Sequence, residues 1–137
     1  MALHHFPAEW LGTTRRHLQA LADRVPGVQG IVLASSDGFE IDCLATRSGA
    51  ASRLAAIASS LLALGQAALR ELGFAGSGTV LIQNEAGHIL LLEGRYRDRT
   101  LVLCTVAGPS AVTGTLLWAA RECLASLTAE SRISAAA

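Results

Sequence analysis

The most constraining feature of this chain is a long helical pattern that carries more apolar surface than one small core requires. Over 51–73, apolar residues recur at helical spacing in two neighbouring rows. One row holds Leu54, Ile57, Leu61, Leu64 and Ala68, and the other holds Ala58, Leu62, Leu69 and Leu72. A small fold has few layers with which to cover such a helix. We therefore predict that the first row is a dimer interface; a helix buried on all sides is the alternative.

The same segment is also the most membrane-like part of the chain. Between Arg53 and Arg70 it offers sixteen residues without a charge. As a helix these span about 24 Å, against roughly 30 Å for a hydrocarbon core. Ser59, Ser60 and Gln66 add polar groups within it. We predict no membrane insertion.

Composition excludes several classes of function. The chain has 137 residues, of which 51% are hydrophobic and 16% charged, as expected for one compact domain. All eleven basic residues are arginine, which excludes catalysis by a phosphate-loop lysine or a Schiff-base lysine. The formal net charge is zero and the aromatic fraction is 4%. With neither a net positive field nor a supply of stacking rings, nucleic-acid binding is not expected.

The cysteines and histidines predict neither disulfides nor a metal site. Cys43, Cys104 and Cys123 are odd in number, far apart and embedded in apolar runs, as buried free thiols are. The histidines are scattered at His4, His5, His17 and His88, without a metal-ligand spacing. Residues 1–10 lack the basic and apolar regions of a signal peptide. We expect a cytoplasmic protein without a cofactor or a metal.

The order of predicted elements indicates a single α/β (α+β) domain. These elements are a helix over 9–24, strands over 29–35 and 39–43, a helix over 51–73, strands over 79–84, 88–93 and 100–106, and a helix over 110–127. The order α-β-β-α-β-β-β-α with short turns predicts a five-stranded, mostly antiparallel sheet with helices on both faces. We place the domain at 9–127, a flexible N-terminus at 1–8 and a frayed tail at 128–137.

Three patterns resemble catalytic or binding motifs but are better explained structurally. Ser110 lies between a strand and a helix, as a nucleophile-elbow serine does, yet Val112 replaces the closing glycine and no histidine follows His88. The Gly76-x-Gly78 loop precedes a strand, the reverse of a dinucleotide loop. Glu40 and Asp42 alternate with Phe39, Ile41 and Cys43, which predicts a solvated strand face opposite a buried one.

One charged cluster is a candidate for binding a partner. In the segment 95–99, Arg95, Arg97 and Arg99 alternate with Tyr96 and Asp98. In an extended chain the three guanidinium groups would project to one side. That arrangement suits an acidic partner surface or a phosphate; a solvated hairpin tip is the alternative.

The segment 25–41 combines a Pro26-Gly27-Val28-x-Gly30 entry with an Asp37-Gly38 turn. Together with the element order over about residues 9–127, this segment resembles the roadblock/dynein-light-chain domain family. It implies a homodimer in which the second helices pack together and edge strands join. It also implies a non-catalytic partner of a small Ras-like GTPase, as in bacterial-type regulators, or a light chain or scaffold in motor and signalling complexes. A profilin-like or PAS-like sensor of a small ligand is the alternative, and a small hydrolase using Ser110 ranks last.

Overall fold

The predicted α/β architecture is confirmed by a computed structural model, which describes residues 6–45 and 49–136. Its elements are α1 (Ala8–Leu11), α2 (Thr14–Arg24), β1 (Val28–Ser35), β2 (Glu40–Leu44), α3 (Ala50–Glu71), β3 (Thr79–Asn84), β4 (Gly87–Tyr96), β5 (Arg99–Ala107) and α4 (Thr113–Ala136). The five strands form one sheet in the order β2-β1-β5-β4-β3, and every neighbouring pair is antiparallel. The long predicted helix corresponds to α3, with ends that differ by one or two residues.

Alternation along the central strands builds a core on each face of the sheet. Leu33 on β1 packs with Leu18 of α2 and Leu116 of α4 in the first core. Its neighbour Val32 points the other way, into a second core with Ala55 and Leu62 of α3. Of the described elements, α2 and α4 with the short α1 therefore cover one face, and α3 covers the other.

The first predicted helix is in fact two helices. Gly12 and Thr13 separate α1 from α2, and the Thr13 hydroxyl donates to the Trp10 carbonyl at 2.7 Å, which competes with helix continuation. Trp10 is 4% exposed, stacks on Phe6 and donates from Nε1 to the Leu127 carbonyl at 3.3 Å. Packing thus begins at Phe6, inside the segment 1–8 predicted to be flexible; residues 1–5 lie outside the described residues.

The last helix begins later and ends later than predicted. Residues 108–112 form a turn in which the Gly108 N–H donates to the Gly27 carbonyl at 2.9 Å and the Ala111 N–H donates to the Gly108 carbonyl at 3.1 Å. Helical backbone then continues to Ala136, past the predicted boundary at residue 127. Alanine has the highest helix propensity, so the helix extends where apolar periodicity has already stopped. Ala137 lies outside the described residues.

The β1–β2 hairpin has the predicted turn but not the predicted alternation. Gly38 has φ +92°, as the Asp-Gly turn requires. A bulge between Leu33 and Ala34 then shifts the register. As a result Ile41 packs against the first core and Cys43 against the second, while the Phe39 side chain is 53% exposed. The expectation of a single buried face on β2, with Phe39 in it, is wrong.

Candidate interaction surface

The predicted dimer row lies on a flank of α3 that the chain leaves largely open. Ile57 and Leu64 are 55% and 68% exposed, and Ala68 is exposed as well. Leu54 and Leu61 are half-buried against the second core. In the neighbouring row Ala58 and Leu62 are buried and Leu69 is half-buried, whereas Leu72 is 67% exposed. The apolar surface of α3 therefore continues from the core out into solvent.

Beside this flank lies an edge strand. β3 pairs with β4 on one side, and within 6–45 and 49–136 no strand lies on its other side. Leu81 and Ile82, which point to opposite faces, are 44% and 40% exposed. An edge with free backbone groups and apolar side chains is suited to accept another strand.

The sheet face under α3 is only partly covered. Ile82 pairs with Ile89, and Ile89 pairs with Val106, so the three form one row across β3, β4 and β5. Ile89 and Val106 are half-buried and contact the margin of the second core. The ten residues of β4 span about 33 Å, whereas a helix is about 10–12 Å wide. One helix leaves part of this face open, next to its own apolar flank.

A groove of about 240 Å³ joins α3 to the β3 edge. Its walls include Ala68 from α3, Leu72 directly after that helix and Val80 from β3. Gly78, directly before β3, leaves room for Leu69, because a Cβ at this position would displace the tip of the Leu69 side chain. The open flank of α3 and the edge strand therefore form one continuous surface.

The opposite edge of the sheet is occupied by polar contacts that the sequence did not indicate. Asp42 on β2 accepts hydrogen bonds from Arg15 Nη2 at 2.7 Å, Thr14 Oγ1 at 2.8 Å and the Cys43 N–H at 2.8 Å. Partial burial alone would raise the pKa of Asp42, but the hydrogen bonds from Arg15, Thr14 and Cys43 outweigh it and lower that pKa. The prediction that Asp42 is simply solvated is wrong. Its two side-chain partners on α2 lie 27 and 28 positions away, which no local pattern reveals.

The arginine cluster does not form the predicted comb, because the chain turns within it. Tyr96 pairs with Arg99 and Arg95 with Thr100, so residues 97 and 98 make the turn between β4 and β5. Arg97 has φ +57° and its guanidinium lies 5.3 Å from the Tyr96 ring centre. Arg95 shares the α3 face with Glu93, whereas Arg99 shares the opposite face with Tyr96. The three arginines thus divide between the two faces.

The other candidate groups are dispersed. Ser110 is exposed in the turn before α4, and His17 and His88 lie on different elements; His4 and His5 fall outside the described residues. No set of three His, Cys, Asp or Glu side chains within the described ranges is placed to hold a metal. Burial raises the pKa of Cys104 to about 11 and that of Cys123 to about 12, so both stay protonated near neutral pH.

By length and composition, α3 is the one described helix that could cross a membrane. At 22 residues, α3 is longer than the uncharged segment between Arg53 and Arg70. The short length of that segment is the reason for predicting no membrane insertion. Core and interface helices meet the same criterion. Ala55, Ala58 and Leu62 pack α3 onto the sheet, which assigns part of its apolar surface to the core.

The chain matches known proteins in both sequence and structure. The Roadblock/LC7 domain model matches residues 16–104. No curated protein matches significantly. A Roadblock/LC7 domain from Streptomyces avermitilis is 24% identical, with 87% of this chain and 94% of that chain covered and a TM-score of 0.69.

Two further solved structures share the fold. The gliding protein MglB of Thermus thermophilus is 17% identical, with 93% of each chain covered and a TM-score of 0.77. A structure described as MglB with a tetrameric arrangement is 18% identical, with the same coverage and TM-score. With the family model spanning more than half of the sequence and solved structures sharing the fold over 87% of the chain or more, this chain belongs to the Roadblock/LC7 domain family.

Proposed function

We propose that this protein is a cytoplasmic homodimer that binds a small Ras-like GTPase and regulates or scaffolds it, without catalysing a reaction itself. The observation that carries the proposal is the continuous open surface made by the apolar flank of α3 and the β3 edge. The identity of the partner in this proposal comes from the resemblance to the roadblock family, because members of that family act as partners of Ras-like GTPases.

In this proposal, a second copy of the chain covers both the apolar flank of α3 and the β3 edge. Antiparallel pairing of the β3 edges about a two-fold axis joins two five-stranded sheets into one. The same axis brings Ile57, Leu61 and Leu64 of each α3 towards the other copy. A relative with this fold has been described in a tetrameric arrangement, which supports self-association in the family.

The nucleotide belongs to the partner in this proposal. Without lysine, the chain has no Gly-x-x-x-x-Gly-Lys loop to hold β- and γ-phosphates. A regulator of this kind acts by binding one nucleotide state of the GTPase more tightly than the other. Equal affinity for both states makes the protein a scaffold.

We propose that one part of the arginine cluster at 95, 97 and 99 contributes to partner binding. Arg95 and Arg97 are exposed and Arg99 is half-buried. Because they divide between two faces, one partner surface contacts Arg95 or the Arg97 and Arg99 pair, but not all three together. The position of this hairpin at the end of the sheet keeps it away from the β3 edge.

The packing under α3 favours a binding module over a small-ligand sensor. A sensor of the profilin or PAS type needs a cavity between sheet and helix. There Val32 and Leu91 of the sheet contact Ala58 and Leu62 of α3 directly, and all four side chains are at most 3% exposed.

Two measurements on the purified protein test this function. Light scattering at tens of micromolar should give the mass of a dimer, in the range of ordinary interface affinities. Calorimetric titration with a Ras-like GTPase from the same genome, loaded with GDP or with a non-hydrolysable GTP analogue, should give saturable binding. A monomer would remove the dimer, and no binding in either state would remove the GTPase function.

A further inference from the structure

A second groove, of about 430 Å³, lies on the other flank of α3. It is formed by α3, the loop that follows it and one residue of β4: Ala63, Gln66, Arg70, Phe74, Ser77 and Glu93 are among its walls. Ala63 and Arg70 come two positions after Leu61 and Ala68, which is about 200° round a helix. The α3 wall of this groove therefore faces away from the row proposed for self-association.

An exposed phenylalanine stands at one side of this groove and is held there by a helix cap. Gly73 has φ +73°, and the Phe74 N–H donates to the Leu69 carbonyl at 2.9 Å, which ends the helix. The Phe74 side chain is 59% exposed. An aromatic ring exposed to solvent adds little to the fold, but it is the kind of side chain that dominates protein interfaces.

The polar groups of the groove are organised around Gln66. Its amide donates to Glu93 Oε2 at 2.9 Å and accepts the Gly78 N–H at 3.0 Å, so it ties β4 to the loop after the helix. Glu93 is thereby half-buried and hydrogen-bonded. Its carboxylate is less available to an outside partner than the exposed Arg70 guanidinium on the same wall.

Arg95 adds a second positive charge beside the groove. It follows Glu93 by two positions and therefore projects from the same face of β4. Arg70 and Arg95 are both exposed, and they outnumber the single engaged carboxylate between them. Glu71, the next acidic residue, lies about 100° round α3 from Arg70 and does not line the groove. The groove combines net positive charge with an apolar ring.

We propose that this groove is the docking site for the GTPase, and that it binds an acidic, partly apolar patch on the folded partner. The inference rests on the proposed function and narrows it to one surface. Phe74 provides the apolar contact, while Arg70 and Arg95 attract and orient the acidic patch. Arg97 and Arg99, on the far side of the hairpin, do not take part.

The test compares charge-matched variants of the full chain. Arg70→Gln with Arg95→Gln removes two charges at the groove, and Arg97→Gln with Arg99→Gln removes two from the hairpin elsewhere. Phe74→Ser is matched by Trp118→Ser on α4, since these side chains are 59% and 57% exposed. Melting temperature and light-scattering mass establish that each variant is folded and self-associates as the wild type does. Binding is measured by titration with Ras-like GTPases of the same genome in both nucleotide states.

Each outcome decides the inference. We expect the groove variants to weaken GTPase binding by about tenfold or more and to reduce its salt dependence, and the matched variants to change affinity by less than about twofold. Loss of binding in the Arg97 and Arg99 variant, with the groove variants unaffected, overturns the site and leaves the function intact. A wild type that binds none of the GTPases overturns the function and the site together. If Phe74→Ser lowers the melting temperature, the comparison of the two arginine double variants alone decides whether this groove is the docking site.

Discussion

At the scale of single residues, Asp42 contributes more than its position in the sequence indicates. A short acidic residue alternating with apolar ones is typical of a solvent-facing position, and Glu40 and Asp42 are alike in that respect. The difference is the tertiary position of α2, whose Thr14 and Arg15 reach Asp42. Contacts between side chains so far apart in the chain are not encoded in local periodicity.

The Asp42 contact predicts a specific pH dependence. Because its pKa is lowered in the folded state, its stabilising contribution is present above the ordinary aspartate pKa of about 3.9 and is lost as the pH falls through the folded value. Asp42→Asn should therefore lower the free energy of unfolding by about 1–2 kcal/mol at pH 7. The difference from wild type should shrink towards pH 3 in urea titrations. Asp98→Asn, at an exposed turn, is the control and should follow the wild-type curve.

For Tyr96 we predict that a substitution increases the stability of the fold. Its side chain is 1% exposed among Phe6 and Trp10, and within the described part of the chain its hydroxyl has no hydrogen-bond partner. A buried, unpaired hydroxyl is costly, so Tyr96→Phe should raise the free energy of unfolding by about 1 kcal/mol. Chemical denaturation at neutral pH measures this. A loss of stability would mean that the hydroxyl is paired in solution.

At the scale of elements, the sequence predicts periodic segments well and junctions poorly. The long α3, the Asp37-Gly38 turn and the three-strand meander follow from periodicity and turn chemistry. The break at Gly12 and Thr13 coincides with a local hydrogen bond of the Thr13 side chain, and the bulge at Ile41 of β2 and the turn at residues 97 and 98 are set by the register of strand pairing; apolar periodicity reports none of these. For the same reason the exposed row of α3 was predictable, but the division of the arginines was not.

The apolar row of α3 allows a direct test of whether this helix forms the dimer interface. Leu64 is 68% exposed, so Leu64→Glu should leave the isolated chain folded. Against a second copy the new charge would be buried without a partner, which costs several kcal/mol. We expect a monomer by light scattering at tens of micromolar. Val112→Glu, at a side chain that is 65% exposed in the turn before α4, is the matched control and should remain dimeric; a dimeric Leu64→Glu would place the interface elsewhere.

At the scale of the whole molecule, the two sheet faces differ in how completely the chain covers them. Two helices cover one face, while the other has a single helix and an open row. If a second copy completes that face, folding and association are linked by mass action. A hundredfold rise in protein concentration should then stabilise the folded dimer by up to about 2.7 kcal/mol and raise the melting temperature by several degrees. Calorimetric scans of Leu64→Glu should show no such dependence, and a concentration-independent wild type would contradict the linkage.

The polar contacts on β2 have a consequence for the size of the assembly. A sheet with two free edges would add copies without end and grow into a filament, whereas a sheet with one free edge stops once two copies have paired. Asp42 already takes the Cys43 N–H, and α2 lies against the same strand through Arg15. In the proposed dimer, this carboxylate therefore occupies one backbone donor of β2, which disfavours pairing of that edge with a further copy, and it also stabilises the fold.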